Sequence, residues 1–313
     1  MIMHRGEQTL AIRALKSAAP YIRMYKGKTF VVKAGGGVFG DVDATRVLIE
    51  QIAILHYFGV RVVMVHGGGP QTTEISEALG IPARMVEGRR VTDQKAIDVA
   101  SMVLNGLINT RILGMCRDLN IDAVGISGVD AGLVRAHRRP PVKIGSGETV
   151  DYGFVGDIDG IDTTVIRKLL DNGLMPVISP LSADETGVIL NINADTVAAA
   201  IGAALGAEKL ILCTGAPGIL ERVEDPTSLI SYTDLRGLKR LREEGRIVEG
   251  MLPKAKAIEN AIHGGVRRVH VVSYKSPEGI LAEVFTNEGT GTLIVADVNA
   301  LSPAEQQPAT VGS

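Results

Sequence analysis

Apolar residues alternate along the chain between two rhythms. Short β-branched runs, TFVVKAG at 29–35 and VRVVMVHGGG at 60–69, are each followed by a stretch with helical spacing, ATRVLIEQIAILHYFG and PQTTEISEALG. The second half repeats the unit with LMPVISPL, DTVAAAIGAALGA, KLILCTG, PKAKAIENAIHGG and VRRVHVVS. Runs that are apolar at consecutive positions, rather than at every second one, must be buried on both faces. The pattern therefore predicts an α/β fold with a mostly parallel central sheet and helices on both sides.

The segment HRRPPVKIGSGETVDYGFVG at 137–156 breaks the rhythm with Pro, Gly and charge, and reads as a hairpin or loop excursion because alternation resumes at once. A functional seam is expected near residue 185, after SPLSADETG. This divides the chain into a first helix at 1–27, an N-terminal lobe at 28–185, a C-terminal lobe at 186–297 and a disordered tail at 298–313. The first 28 residues carry Arg5, Arg13, Lys16, Arg23, Lys26 and Lys28 against Glu7. That bias resembles an organelle presequence, but Leu15, Ala18, Ala19, Ile22 and Tyr25 follow helical spacing, as in a basic amphipathic helix that packs on another subunit.

Composition narrows the function. A net charge of -2 with 4% aromatics gives neither the field nor the stacking platforms that nucleic acid needs. No run approaches the roughly 20 apolar residues of a membrane helix. Cys116 and Cys213 are far apart and lie in apolar surroundings, which suits core thiols in a reducing cytoplasm and no metal site.

Gly35, Gly37 and Gly40 satisfy G-x-G-x-x-G, yet the following strand ends in His66 rather than in the acid that holds a dinucleotide ribose. A second run, HGGGPQ at 66–71, ends that strand. Two adjacent glycine turns put free backbone N–H groups side by side at the carboxyl edge of a sheet, and with Lys33 they mark an anion site. A bare structural need for tight turns explains either run alone. Asn191, Asn193 and Asp195 precede an apolar helix, where Asp195 suits an N-cap, although one cap does not account for three polar residues in five. Lys254 follows Pro253 in a helix's first turn, against the helix dipole, a placement that an anion would offset.

Taken together, KAGG at 33–36, HGGGPQ, GRRVTD at 88–93, GISGVDAGLVRA at 125–136, FVG at 154–156, NINAD at 191–195, GAEKLIL at 206–212 and GMLPKAKA at 250–257 resemble the N-acetylglutamate kinases of the amino acid kinase family, from about Tyr21 to Val295. The resemblance implies a three-layer αβα sandwich that phosphorylates the side-chain carboxylate of N-acetyl-L-glutamate with ATP and Mg2+, the second step of arginine biosynthesis. It implies that Lys33 and Lys254 stabilise the transferring phosphoryl group and that Asp195 orients them. Gly68, Gly69, Arg90 and Asn191 would hold the acylated amino acid, with Arg90 facing its α-carboxylate. Gly36 would cradle phosphates, and Thr214, Gly215 and Gly218 would line the nucleotide. A carboxylate nucleophile carries no proton at neutral pH, so no catalytic histidine is expected.

Three departures from the family pattern stand out. Gly215 takes the place of the usual aspartate of TDVPG, Glu249 that of a glycine before Met251, and Glu278 that of a histidine. Val129 stands where many members have lysine. The segment APYIRMYKGK resembles the extra helix of hexameric, arginine-inhibited members, and FTNEGTGTLI at 285–294 part of their arginine site. Homo-oligomers, as hexamers through that helix or as dimers, and a weak or altered arginine response are the expectations. Two alternatives remain beside the kinase: a catalytically silent binding module like that of the N-acetylglutamate synthases, whose acetyltransferase domain does not fit in the roughly 20 residues after the kinase fold, and a kinase of a related substrate such as an acylated aminoadipate.

Overall fold

The computed structural model describes residues 5–300 apart from 88, 223, 226, 248, 287 and 288. Eight strands build the central sheet: β1 (Thr29–Ala34), β2 (Arg61–His66), β3 (Ala123–Ser127), β4 (Met175–Ser179), β5 (Lys209–Thr214), β6 (Tyr232–Asp234), β7 (Arg268–Ser273) and β8 (Thr292–Val295). Their order is β6-β8-β7-β5-β1-β2-β4-β3, parallel throughout except where β7 meets β8. Helices cover both faces, so the expected αβα sandwich is the fold.

Alternation along each strand divides the core into two. Val31, Val63, Val65, Leu210 and Leu212 face one helical layer, and Phe30, Val32, Val62, Met64, Ile211 and Cys213 face the other. Both cysteines are buried free thiols, as expected. Strand β1 lies at the centre, hydrogen-bonded to β2 on one side and to β5 on the other. The chain leaves β1 toward one edge of the sheet and later returns at β5 toward the opposite edge. The crevice between the carboxyl ends of such strands is where open α/β sheets bind ligands.

A second sheet joins Val134–Arg138, Gly156–Ile161, Leu181–Ala183 and Ile189–Asn191. Its first two strands are antiparallel, and between them Val142–Lys143 pairs with Thr149–Val150, so residues 137–156 are the expected hairpin excursion. Helix Gln94–Asp118 is long and apolar enough by length and composition to cross a bilayer, contrary to the sequence expectation. Here it is a core helix, burying Val103, Leu104, Ile108, Ile112 and Cys116 against the sheet. Its Met102–Asn109 stretch is a π-helix. Val298–Ala300 form a short turn in which Asp297 accepts the Asn299 N–H at 3.0 Å. Residues 301–313 lie outside the described residues.

The first helix, Arg5–Tyr25, is seated at its end, where Tyr25 meets Phe30 edge-on at 5.2 Å between ring centroids. Ile12, Leu15 and Met24 remain 54%, 59% and 55% exposed. Beneath Tyr25 runs a buried polar chain. Lys209 Nζ lies 5.1 Å from the Tyr25 ring centroid and 2.9 Å from His270 Nε2, and His270 Nδ1 is 2.7 Å from Glu283. Because an ammonium has only donors, Nε2 must accept and Nδ1 donate, which leaves His270 neutral between two charges. Burial, reinforced by Lys209, pushes the His270 pKa down to about 4 against the pull of Glu283.

Burial likewise pushes the His66 pKa down to about 4. The unfolded chain therefore takes up two protons near pH 6.5 that the native state refuses until about pH 4. The free energy of unfolding is expected to hold above pH 6.5 and to fall as pH drops through that window. Urea midpoints at a series of pH values check this, and His270→Gln should make the decline shallower.

Candidate active site

The carboxyl ends of β1 and β2 carry the two glycine turns, and the turns interlock. Gly35 N–H reaches Cys213 O on β5 at 3.3 Å, Gly67 N–H reaches Ala34 O at 2.8 Å, and Gln71 Nε2 donates to Gly36 O at 2.8 Å. A Cβ on Gly36 would stand 2.8 Å from Pro70 Cδ and 3.0 Å from Gly68 Cα, and one on Gly68 would stand 2.3 Å from Ile108 Cδ1. Both glycines are thus required by the packing of the turns. A Cβ on Gly69 would meet nothing within 4 Å, so that position faces open space.

Gly69 also starts the helix Gly69–Ala78, whose first N–H groups lack helical partners and favour an anion. Arg90, from the hairpin Arg84–Val86 and Arg89–Val91, arrives at the same place. Its Nη2 donates to Thr73 Oγ1 at 2.5 Å and to Gly69 O at 3.4 Å. Partial burial lowers the Arg90 pKa, with Glu77 opposing; the group stays cationic at any physiological pH.

The sequence left open whether Asp195 caps its helix. It does not: Asn193 is the cap, its Oδ1 accepting from Asp195 N–H at 2.8 Å and Thr196 N–H at 3.2 Å. The Asp195 carboxylate is thereby released toward the sheet edge, where Lys33 Nζ lies 2.9 Å from Oδ1 and Lys254 Nζ 3.1 Å from both oxygens. All three residues are buried. Burial would raise the Asp195 pKa, but the two ammonium groups outweigh it and hold the carboxyl below its ordinary value. Burial and the neighbouring Lys33 lower the Lys254 pKa, and Asp195 offsets part of that shift. Two cations share one anion in a low-dielectric site, which leaves a net positive charge facing the crevice.

The structure thus brings Lys33, Asp195 and Lys254 together, and Gly36, Gly68, Gly69 and Arg90 into an adjoining group. Asn191 sits on the second sheet, its N–H bound to Phe154 O at 2.9 Å, and no hydrogen bond joins it to the lysines among the described residues. Thr214 ends β5 and Gly215 follows it, whereas Gly218 is packed inward: a Cβ there would stand 2.6 Å from both Leu229 Cδ1 and Thr292 Oγ1. The side chain of Glu249 and the backbone at Gly88 lie outside the described residues.

Sequence reasoning passed over Asn109, whose Nδ2 is 3.2 Å from His66 Nε2 and 3.0 Å from Val177 O. The π-helix makes that contact, and nothing in the helical spacing announces it. It also passed over Gln71, whose Oε1 is buried without a hydrogen-bond partner among the described residues, although HGGGPQ contains it.

A carboxylate held between lysines contributed by the two halves of the sheet, beside interlocked glycine turns, is a site for an anionic group in transfer. The model of the amino acid kinase family matches residues 28–273, and the chain belongs to that family. It is 47% identical over 296 residues to an acetylglutamate kinase of Myxococcus xanthus, covering 93% of this chain and 96% of that one. It is 42% identical to an acetylglutamate kinase of Symbiobacterium thermophilum, covering 90% and 96%. Among solved structures, an N-acetylglutamate synthase of Neisseria gonorrhoeae complexed with coenzyme A and N-acetyl-glutamate superposes with a TM-score of 0.79 at 25% identity. That match covers 92% of this chain and 64% of the synthase, so the chain spans just under two thirds of it. A Giardia carbamate kinase, at a TM-score of 0.61 and 19% identity over 87% of this chain and 99% of that one, shares the fold.

Replacing Asp195 with Asn leaves two buried ammonium groups without their anion. The expected loss of stability is about 3–5 kcal/mol, measured by urea denaturation. An unchanged midpoint would mean that the lysines do not depend on Asp195.

Proposed function

We propose that the chain transfers the γ-phosphoryl group of ATP to the side-chain carboxylate of N-acetyl-L-glutamate, giving an acyl phosphate and ADP. This is acetylglutamate kinase chemistry, the second step of arginine biosynthesis, in the cytoplasm. The observation that carries the reading is the Lys33–Asp195–Lys254 cluster at the sheet edge, in a chain whose curated relatives at 47% and 42% identity are acetylglutamate kinases.

Transfer brings two anions together. A carboxylate oxygen of the substrate forms a bond to phosphorus as the bond from phosphorus to the ADP oxygen breaks. Lys33 and Lys254 neutralise the charge on the phosphoryl oxygens, and positioning supplies most of the remaining acceleration. Asp195 is an orienting residue and not a base, because both its oxygens hold lysines and the nucleophile has no proton to remove. The same commitment leaves Asp195 unavailable as a metal ligand, so magnesium enters with the nucleotide as its phosphate complex.

Arg90 pairs with the α-carboxylate, backbone donors at Gly68 and Gly69 and the Asn191 side chain hold the acylated amino acid, and Gly36 contributes a donor toward the phosphates. Thr214, Gly215 and Gly218 line the nucleotide half, Gly218 by packing the turn rather than by facing the crevice.

Hydroxylamine trapping with magnesium-ATP is the test. N-acetyl-L-glutamate should give hydroxamate, free glutamate and N-acetyl-aminoadipate little, and Lys33→Ala should lower the rate by at least about a hundredfold. The similarity to a synthase that also binds N-acetyl-glutamate favours one second reading, a silent sensing module. A folded protein that binds N-acetylglutamate but yields no hydroxamate from any substrate would establish that reading and overturn the kinase.

The exposed apolar positions Ile12, Leu15 and Met24 support assembly of copies through the first helix. Deleting residues 1–24 is expected to halve the oligomer mass or more in light scattering, and an unchanged mass would remove the idea. A related synthase structure is complexed with L-arginine; for this chain we assign arginine as an effector with a weak or altered response, since Glu278 stands in place of the family's histidine.

A further inference from the structure

One polar side chain at the sheet edge has no role in this reading. Tyr274 follows the last residue of β7, and its N–H donates to Thr214 O at 2.9 Å, which pins it beside the end of β5. Its ring packs on the core layer that contains Phe30, Val32 and Cys213. The hydroxyl projects from there across the crevice. It lies 2.8 Å from where a Cβ on Gly37 would stand and 3.3 Å from where one on Gly215 would stand. The phenol thus spans two side-chain-free turns, one from each half of the sheet. The Gly37 turn begins beside the cluster, since a Cβ on Gly35 would be 3.8 Å from Lys33 Nζ.

The neighbouring polar groups are occupied. Thr214 Oγ1 accepts the Ala216 N–H at 3.2 Å, Gly36 O accepts Gln71, and the lysines hold Asp195. Among the described residues the Tyr274 hydroxyl takes no hydrogen-bond partner, although its ring is fixed. An anchored ring with a free O–H aimed over a net-positive crevice is preorganised to donate to an anion.

We propose that Tyr274 is a nucleotide-affinity residue whose hydroxyl donates to the phosphate chain of the bound nucleotide. Gly37 and Gly215 are the positions that leave room for it: a Cβ at 37 would force the hydroxyl to shift, and one at 215 would crowd it. An acidic side chain at 215 would in addition compete with the phosphates for the same proton. The inference rests on the kinase reading for its ligand, but its test does not depend on turnover.

Titration calorimetry of Tyr274→Phe against ATP, ADP and adenosine is the experiment. The variant keeps the ring and its packing, and an unchanged melting temperature checks this. Dissociation constants for ATP and ADP should rise roughly tenfold or more, the effect of losing one hydrogen bond to a charged group, while adenosine changes by less than about twofold. In steady-state assays KM for ATP should rise while KM for N-acetylglutamate holds. Unchanged ATP and ADP affinities would overturn the proposal, and so would an equal loss for adenosine, which would put the ring against the nucleoside instead. If the wild-type protein binds ATP and makes no acyl phosphate, the catalytic reading fails while the expected Tyr274→Phe loss still supports this inference.

Discussion

Two ammonium groups buried a few ångströms apart repel strongly, and neither is stable there without a counter-charge. Asp195 supplies it, and much of the surrounding architecture follows from that need. Asn193 has to take over the helix cap so that the carboxylate is released. The helix Ala194–Leu205 has to start at the carboxyl edge of the sheet, where its dipole favours the anion. Lys33 comes from the central strand and Lys254 from a helix on the other half, so the cluster forms only when the two halves are in register.

The glycine turns answer a second constraint, close approach. The backbone turns after β1 and β2 are in contact through Gly36, Pro70 and Gly68. A side chain at Gly36 would push the turn after β1 away from its neighbour and move Gly35 away from Lys33. Packing and anion binding therefore ask for the same residue type, and the competing explanations for these glycines, tight turn or ligand site, turn out to be compatible.

Much of this was legible in the sequence. Strand and helix rhythms gave the layers because strands apolar on both faces have only one class of environment available. Lys33, Asp195 and Lys254 stood out because charges in apolar runs demand partners. What was hidden was relational. The division of labour between Asn193 and Asp195 depends on backbone geometry at a helix start, and the two residues read alike in sequence. Asn109 meets His66 only because a π-helical stretch shifts its direction. The Tyr274 hydroxyl lies over glycines far away in the chain, which no local pattern announces, and Gly218 reads like its neighbour Gly215 although one is packed inward and the other is exposed. Helix Gln94–Asp118 was underestimated as a continuous apolar element because its glycines and charges interrupt the run.

The central position of β1 has a consequence for how the molecule is made. One side of the strand pairs with β2 early, but the other pairs Phe30 with Lys209 and Val32 with Ile211. Such long-range pairing is slow to close, and during synthesis β1 waits with a bare hydrogen-bonding edge until β5 has left the ribosome. Throughout that interval the cluster lacks Lys254, which follows β5 in the chain, and the edge is open to foreign strands. The strand that carries the cluster's first lysine thus keeps one edge unpaired until the second half of the chain is made.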